Sequence, residues 1–213
     1  MFRSDNAQYG LRYAAGVALC LFAGAVALHL PDLDQRLFLV PLVVHRSAVF
    51  HSALLPLLFL QAVIAAGRTH PEGPIYSHPH ANPVPRLVGI GVGAALAAHF
   101  CFDLLPRYWY GFALVHFPVY GRLSPALSFA WLAGSALVCL WAVCCLLRRR
   151  FDLGLAIACA GASYGYLAYR EPTKAVYALL ALSACAAIAF LLPRFGFGKM
   201  PDGLAATINE FRL

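Results

Sequence analysis

Long apolar runs separated by short polar connections dominate the pattern of this chain. Six of these runs approach the roughly 20 residues that a transmembrane helix needs to cross the hydrocarbon core. They cover residues 13–30, 48–66, 87–105, 125–147, 153–169 and 175–192. The fifth run is the shortest. The pattern therefore predicts an all-α, polytopic transmembrane helix bundle with about six spans, or five.

The connections between the runs carry their own signals. Pro31 ends the first run, because the residue before a proline is disfavoured in the helical conformation. Residues 37–44 are apolar but too few to cross the membrane, which predicts a re-entrant or interfacial segment. Residues 107–122 contain six aromatic side chains, a composition typical of the lipid–water boundary.

Glycines in two of the runs favour close packing of helices. Gly89, Gly91 and Gly93 lie near the start of the third run, and Gly161 and Gly165 stand four apart in the fifth. Small residues at such spacings let the backbones of membrane helices approach each other closely. We therefore expect close helix contacts at these two places.

Composition supports a membrane protein and excludes several other classes. Of the 213 residues, 62% are hydrophobic and 12% are charged. Soluble domains carry roughly 25% charged residues, so an ordinary soluble fold, a disordered chain and a coiled coil are excluded. The seven cysteines lie in apolar stretches without a CxxC pair, which is typical of small buried side chains. With no visible repeat, residues 1–213 are expected to form one membrane domain.

The basic residues indicate an orientation rather than nucleic-acid binding. The net charge is +7, but the 16 basic residues are scattered through short connections, with one cluster at 148–150. Six spans place both termini on one side, where ten basic residues lie against six on the other. Because basic residues are retained on the cytoplasmic side, this distribution predicts cytoplasmic termini.

Histidines and aspartates gather at the ends of the first three runs, all on one membrane face. Ionisable groups at such positions are energetically costly, so they mark candidate functional residues. The end of the first run gives His29, Asp32 and Asp34, the entry to the second gives His45, Arg46 and His51, and the third ends with His99 and Asp103, with His116 in the next connection.

The spacing of His99 and Asp103 has a chemical meaning. They stand four residues apart, so on a helix they project from one face on adjacent turns. An imidazole and a carboxylate placed in this way can bind one divalent metal ion. Asp32 and Asp34 follow Pro31 in what we expect to be an extended stretch, where one could ligate metal and the other orient a histidine or move protons.

Two further groups of histidines need separate interpretation. His45 and His51 are six residues apart, so a break in the helix between them is required for both to turn inward. On the opposite membrane face, residues 69–86 contain three histidines among five prolines. We expect these three, His70, His78 and His80, to bind no metal.

These motifs resemble the YdjM-like family of membrane-bound metal-dependent hydrolases. The matching pieces are residues 30–34, His45-Arg46 followed by His51-Ser52, and His99 with Asp103, in the family's order. They cover roughly residues 15–122; the helices over 125–192 agree in hydropathy only, and 193–213 reads as an interfacial tail. Phe50 departs from the threonine that is usual there. The resemblance implies a set of metal ligands: Asp32, His45, His51, His99 and Asp103.

The resulting hypothesis is a metal-dependent hydrolase of a bacterial inner membrane, with its site facing the exterior. A divalent metal would activate water for attack on a lipid or lipid-linked ester or phosphoester. Asp34 or His116 would transfer protons, and Arg46 would bind an anionic group through its planar guanidinium. Mixed imidazole and carboxylate ligands suit Zn, Mn or Fe, with Zn favoured and one or two ions left open.

Three other classes are compatible with the same residues. A small transporter would use the His/Asp cluster as a proton relay. A b-type cytochrome would use two histidines, such as His51 and His99, as axial ligands. A non-catalytic subunit of a membrane complex would need no site. The protein partners are not indicated by the sequence.

Overall fold

The computed structural model describes residues 2–35, 46–68, 83–105, 114–117 and 120–191. Within these residues it contains six α-helices: α1 (Phe2–His29), α2 (Leu54–Arg68), α3 (Val84–Asp103), α4 (Pro125–Leu146), α5 (Arg150–Arg170) and α6 (Ala175–Leu191). Short 3-10 turns cover Pro31–Gln35 and Pro172–Lys174. A small antiparallel hairpin pairs β1 (His116–Phe117) with β2 (Gly121–Arg122). The predicted helix bundle is confirmed, whereas the hairpin was not predicted.

Five helices in the described part of the chain are long and apolar enough to cross a membrane. They cover Gly10–His29, Val84–Asp103, Pro125–Leu146, Arg150–Arg170 and Pro172–Leu191. The fifth predicted run is therefore a full-length helix, α5. The predicted start of the second run, at residue 48, was wrong, because α2 begins at Leu54. Its 15 residues extend about 22 Å, less than the roughly 30 Å hydrocarbon core.

The late start of α2 has a visible cause. The backbone of Arg46 accepts a hydrogen bond from His116, and the backbone of Ala48 donates one to His116, both at 2.9 Å. The carbonyl of Arg46 and the N–H of Ala48 are therefore engaged by β1, which keeps these residues out of a continuous helix. The chain then turns through His51 before the helix begins at Leu54.

Helix α3 occupies the centre of the bundle. In its apolar window 83% of the residues are buried, compared with 22–39% in the other four long helices. Every other helix contacts it. The absence of a side chain at Gly91 of α3 allows α1 to approach α3 closely, because a Cβ atom at Gly91 would overlap the carbonyl oxygen of Cys20 in α1. The expected close contact at Gly91 is confirmed, whereas Gly161 and Gly165 have no atom within 4 Å of a Cβ position.

A buried ion pair fastens the bundle at the amino-terminal ends of α3 and α5. The guanidinium of Arg86 donates to the carboxylate of Asp152, which also accepts from the Tyr13 hydroxyl at 2.7 Å. The backbone N–H groups of Arg148 and Arg149 donate to the same carboxylate, each at 3.0 Å. We call these five residues the Asp152 network. Since its buried charges are paired and hydrogen-bonded, it can lock three helices together.

Candidate metal centre

Three ionisable side chains meet at the carboxyl-terminal end of α3. His99 and Asp103 project from its last turns, and His51 reaches them from the turn before α2. The Nε2 atoms of His51 and His99 each lie 3.1 Å from Oδ2 of Asp103. One ligand atom from each residue lies within 4.8 Å of the other two. Ligand atoms that share an ion at about 2.0–2.2 Å lie roughly 3–4.4 Å apart, so the group can hold one metal ion. We call these three residues the candidate metal centre.

Burial makes this group unusual for a membrane helix. His51 is 0% exposed and His99 is 3% exposed, and the side chain of Asp103 is 15% exposed. Removing ionisable groups from water costs free energy unless they are paired or coordinate a metal. The three residues are therefore placed where a bound cation would offset that cost.

The backbone of α1 determines which nitrogen of His99 faces the centre. The Nδ1 atom of His99 lies 2.8 Å from the carbonyl oxygen of Leu28. Because a carbonyl can only accept, Nδ1 carries the hydrogen, and the lone pair of the neutral ring is on Nε2. That lone pair faces a carboxylate oxygen at 3.1 Å, a contact that requires a proton or a metal cation between them. Metal-binding histidines are commonly oriented by such a hydrogen bond.

Pro31 explains why the Leu28 carbonyl is available. The last carbonyls of a helix have no partner within the helix. In a continuous α-helix the carbonyl of Leu28 would accept from the N–H of Asp32, but α1 ends at His29 and Pro31 begins a separate 3-10 turn. The proline that ends α1 thus leaves an acceptor for His99 of α3.

Helix α4 holds His51 from the other side. The indole Nε1 of Trp131 donates to the backbone carbonyl of His51 at 2.7 Å. The ring of Trp131 also packs edge-on against Phe117 of β1, with 5.2 Å between centroids. Sequence analysis missed Trp131, although a tryptophan within an apolar run signals an indole N–H that needs an acceptor.

Asp32 lies beside the candidate metal centre rather than within it. Its Oδ1 is 4.0 Å from Nε2 of His99, and its side chain is 48% exposed. The expected extended stretch after Pro31 was wrong, because residues 31–35 form a 3-10 turn in which Leu33 donates to the carbonyl of Leu30. This compact turn carries Asp32 back toward α3. The side chain of Asp34 lies outside the described residues.

Arg46 and His116 are brought together by backbone pairing. Ser47 forms a parallel bridge with His116. Arg46 has a φ of 61°, a left-handed conformation that is uncommon for residues other than glycine and is often found at functional sites. Within the described residues, the buried Nε of Arg46 and the buried Nδ1 of His116 have no hydrogen-bond partner. These two nitrogens therefore have hydrogen-bonding capacity that no described group satisfies.

Several predicted residues lie outside the described part of the chain. They are His45, the segment 37–44, the opposite-face histidines His70, His78 and His80, and the tail 193–213. His29 is described but lies apart from the candidate metal centre, because its ring packs against Tyr166 at 5.4 Å between centroids.

Comparisons with protein-family models, with curated proteins and with solved structures gave no match for this chain. The resemblance to the YdjM-like hydrolases therefore depends on the sequence motifs alone.

Proposed function

We propose that this protein is a membrane-embedded, metal-dependent hydrolase that acts on a lipid or lipid-linked ester or phosphoester at the membrane surface. The observation that carries the proposal is the convergence of His51, His99 and Asp103 from separate segments, with Nε2 of His99 turned toward the carboxylate by the Leu28 carbonyl. Two imidazoles and a carboxylate leave a coordination position for water, as catalytic zinc sites require.

In this proposal the three residues of the candidate metal centre hold one ion. Zn is favoured by the two imidazoles and one carboxylate, and Mn or Fe also accept such ligands. Asp32 is close enough to His99 to ligate after a small shift or to orient the ring, and His45 is a further ligand implied by the resemblance. When bound, a divalent ion lowers the pKa of coordinated water toward about 7.

Arg46 and His116 would handle the substrate and its protons. A guanidinium presents parallel N–H donors that match the oxygens of a phosphate or carboxylate. The free Nδ1 of His116 can accept or donate a proton, and Asp34 is the second candidate for that role. Both Arg46 and His116 lie next to the segment that carries His51, so they would act on the same bound group.

The experiment that tests this proposal is elemental analysis of the purified protein. We expect one or two equivalents of a divalent metal, and a large loss in His99→Ala and in Asp103→Ala. Because ligands act as a unit, the double variant should lose little more than either single variant. His29→Ala is the matched control, because His29 lies at the same end of the bundle but packs against Tyr166. Full metal content in the double variant would overturn the proposal.

One observation also favours a second candidate. A single oxygen of Asp103 lies 3.1 Å from both imidazoles, which is a geometry that a proton relay through the membrane would use. Proton transport across vesicle membranes by the metal-free protein would establish the relay if Asp103→Asn abolishes that transport. Metal-free protein without proton transport would favour a non-catalytic subunit. Haem is the weakest alternative, because the Asp103 carboxylate occupies the space between the two rings.

A further inference from the structure

A groove lies between α1 and α5. Its volume is about 250 Å³. Its walls are mainly apolar and small, with Leu21, Gly24, Ala25 and Leu28 from α1 and Cys159 and Ala162 from α5. The residues between Leu21 and Leu28 extend about 10 Å along the helix axis, which sets the length of the groove.

Direct contacts between the two helices close the groove at both ends. At its deep end the sulfur atoms of Cys20 and Cys159 lie 3.8 Å apart. At the end near the membrane surface the rings of His29 and Tyr166 pack in a T-shaped arrangement at 5.4 Å. The space between these contacts remains because the intervening wall residues Ala25 and Ala162 are too small to fill it.

The surroundings of the groove determine what can occupy it. Large apolar side chains beside it on α1 and α5 are exposed, including Phe22 at 68% and Ile157 at 63%. Since α1 and α5 are both long and apolar enough to cross a membrane, these side chains face lipid tails. Polar groups line the groove at His29, Ser163 and Tyr166, but most of its walls are apolar and match an acyl chain.

The groove ends beside the candidate metal centre. Leu28 lines its surface end, and the carbonyl of the same residue holds the ring of His99. Asp32 follows His29 by three residues and approaches His99 to 4.0 Å. A lipid with one tail in the groove would therefore place its ester or head group at the level of His99.

We infer that the groove between α1 and α5 binds one acyl chain of the lipid on which the protein acts. That the lipid is a substrate rests on the proposed function, whereas the binding of its chain rests on the groove itself.

The test uses the full-length protein in phosphatidylcholine vesicles that contain a small fraction of phosphatidylcholine with a diazirine in the half of one acyl chain nearer the ester. After irradiation, peptide mapping should show labels concentrated at residues 21–28 and 159–166. Ala162→Phe fills the groove and should reduce this labelling several-fold. Ala25→Phe fills it from the opposite wall and should have the same effect.

Ile157→Phe is the matched control, because it adds a similar side chain to the lipid-facing part of α5 outside the groove. Labelling that is spread evenly over the exposed helices, or that is unchanged in both filled variants, would overturn the inference. So would a cross-link to a second copy at Ala25 or Ala162, since another protein chain would then occupy the groove.

Metal content separates this inference from the proposed function. Retained metal in Ala162→Phe shows that the variant is folded. Labelling of the groove in a protein that holds no metal would refute the proposed hydrolase and support the acyl-chain site. Full metal content without labelling of the groove would refute the acyl-chain site and support the metal centre.

Discussion

At the scale of single residues, the orientation of each side chain decides whether the candidate metal centre can work. His99 and Asp103 have a helical spacing that places them on one face, but their spacing leaves open which nitrogen of His99 points to the carboxylate. The Leu28 carbonyl makes that choice by accepting from Nδ1 at 2.8 Å. A backbone acceptor is not visible in any residue-type pattern, so this part of the site could not be predicted.

The first prediction at this scale concerns Arg46. Arg46→Lys keeps the positive charge but removes the planar fork, so turnover of an anionic lipid ester should fall while metal content stays unchanged. Hydrogen bonds to charged groups contribute about 1.5–3 kcal/mol, which corresponds to a loss of roughly 10-fold to 150-fold. Steady-state kinetics and elemental analysis on the same preparation check it. Equal turnover in the two proteins would make Arg46 a structural residue.

The second concerns Trp131. Trp131→Phe removes the hydrogen bond to the His51 carbonyl but retains an aromatic ring against Phe117. Metal affinity should fall about 10-fold, because groups that orient ligands typically contribute 10–100-fold. Competition with a fluorescent chelator measures this affinity. Trp141→Phe on the same helix is the control, because Trp141 packs against a different part of the core. A similar loss in the control would mean that general packing of α4 is responsible.

At the scale of elements, short irregular segments bring the ligands together. The 3-10 turn after α1, residues 46–48 and the β1–β2 hairpin all lie at the end of the bundle where α3 finishes. Backbone pairing with His116 delays the start of α2 to Leu54 and leaves His51 in a turn, from which it can reach Asp103. Hydropathy predicts helices well but does not register such pairing, since it depends on residues about 70 positions apart.

The prediction at this scale concerns the Asp152 network. Asp152→Asn leaves the buried Arg86 charge without its partner, and breaking a buried ion pair costs about 3–5 kcal/mol. The thermal unfolding midpoint in detergent should fall substantially. Tyr13→Phe, which removes one donor to the same carboxylate and leaves no charge unpaired, should cost less, about 1.5–3 kcal/mol.

Metal content provides the control for this experiment. Arg86 and His99 are 13 residues apart on α3, or about 20 Å, so folded Asp152→Asn protein should retain its metal. Loss of metal without loss of stability would contradict the separation of the two sites.

At the scale of the whole molecule, the helices alternate between two ends. The carboxyl-terminal ends of α1 and α3 meet at the candidate metal centre, and the Asp152 network lies at the other end of α3. Helix α2 must therefore return the chain from one end toward the other, although it is shorter than a full span. Helix α5 begins at the Asp152 network and finishes beside His29, and α6 follows it after a short turn.

This arrangement leads to a prediction about orientation. The basic residues 148–150 and Arg86 lie at the end with the Asp152 network, so this end should face the cytoplasm. After Leu213, a reporter that works only in the cytoplasm should be active, and one that works only outside should be inactive. At residues 118–119 the two reporters should give the opposite result. Reversed activities would place the candidate metal centre inside the cell.

The amino-acid sequence by itself determined the membrane helices and the pairing of His99 with Asp103. Both are local properties, because a helix in lipid must satisfy its backbone hydrogen bonds within its own segment, and side chains four residues apart share a face. The tertiary structure decided the rest: the arrival of His51, the role of Leu28 and Trp131, and the burial of Arg86 with Asp152. These contacts join segments that are 52–80 residues apart, and only the packing of α1, α4 and α5 around α3 brings them within bonding distance.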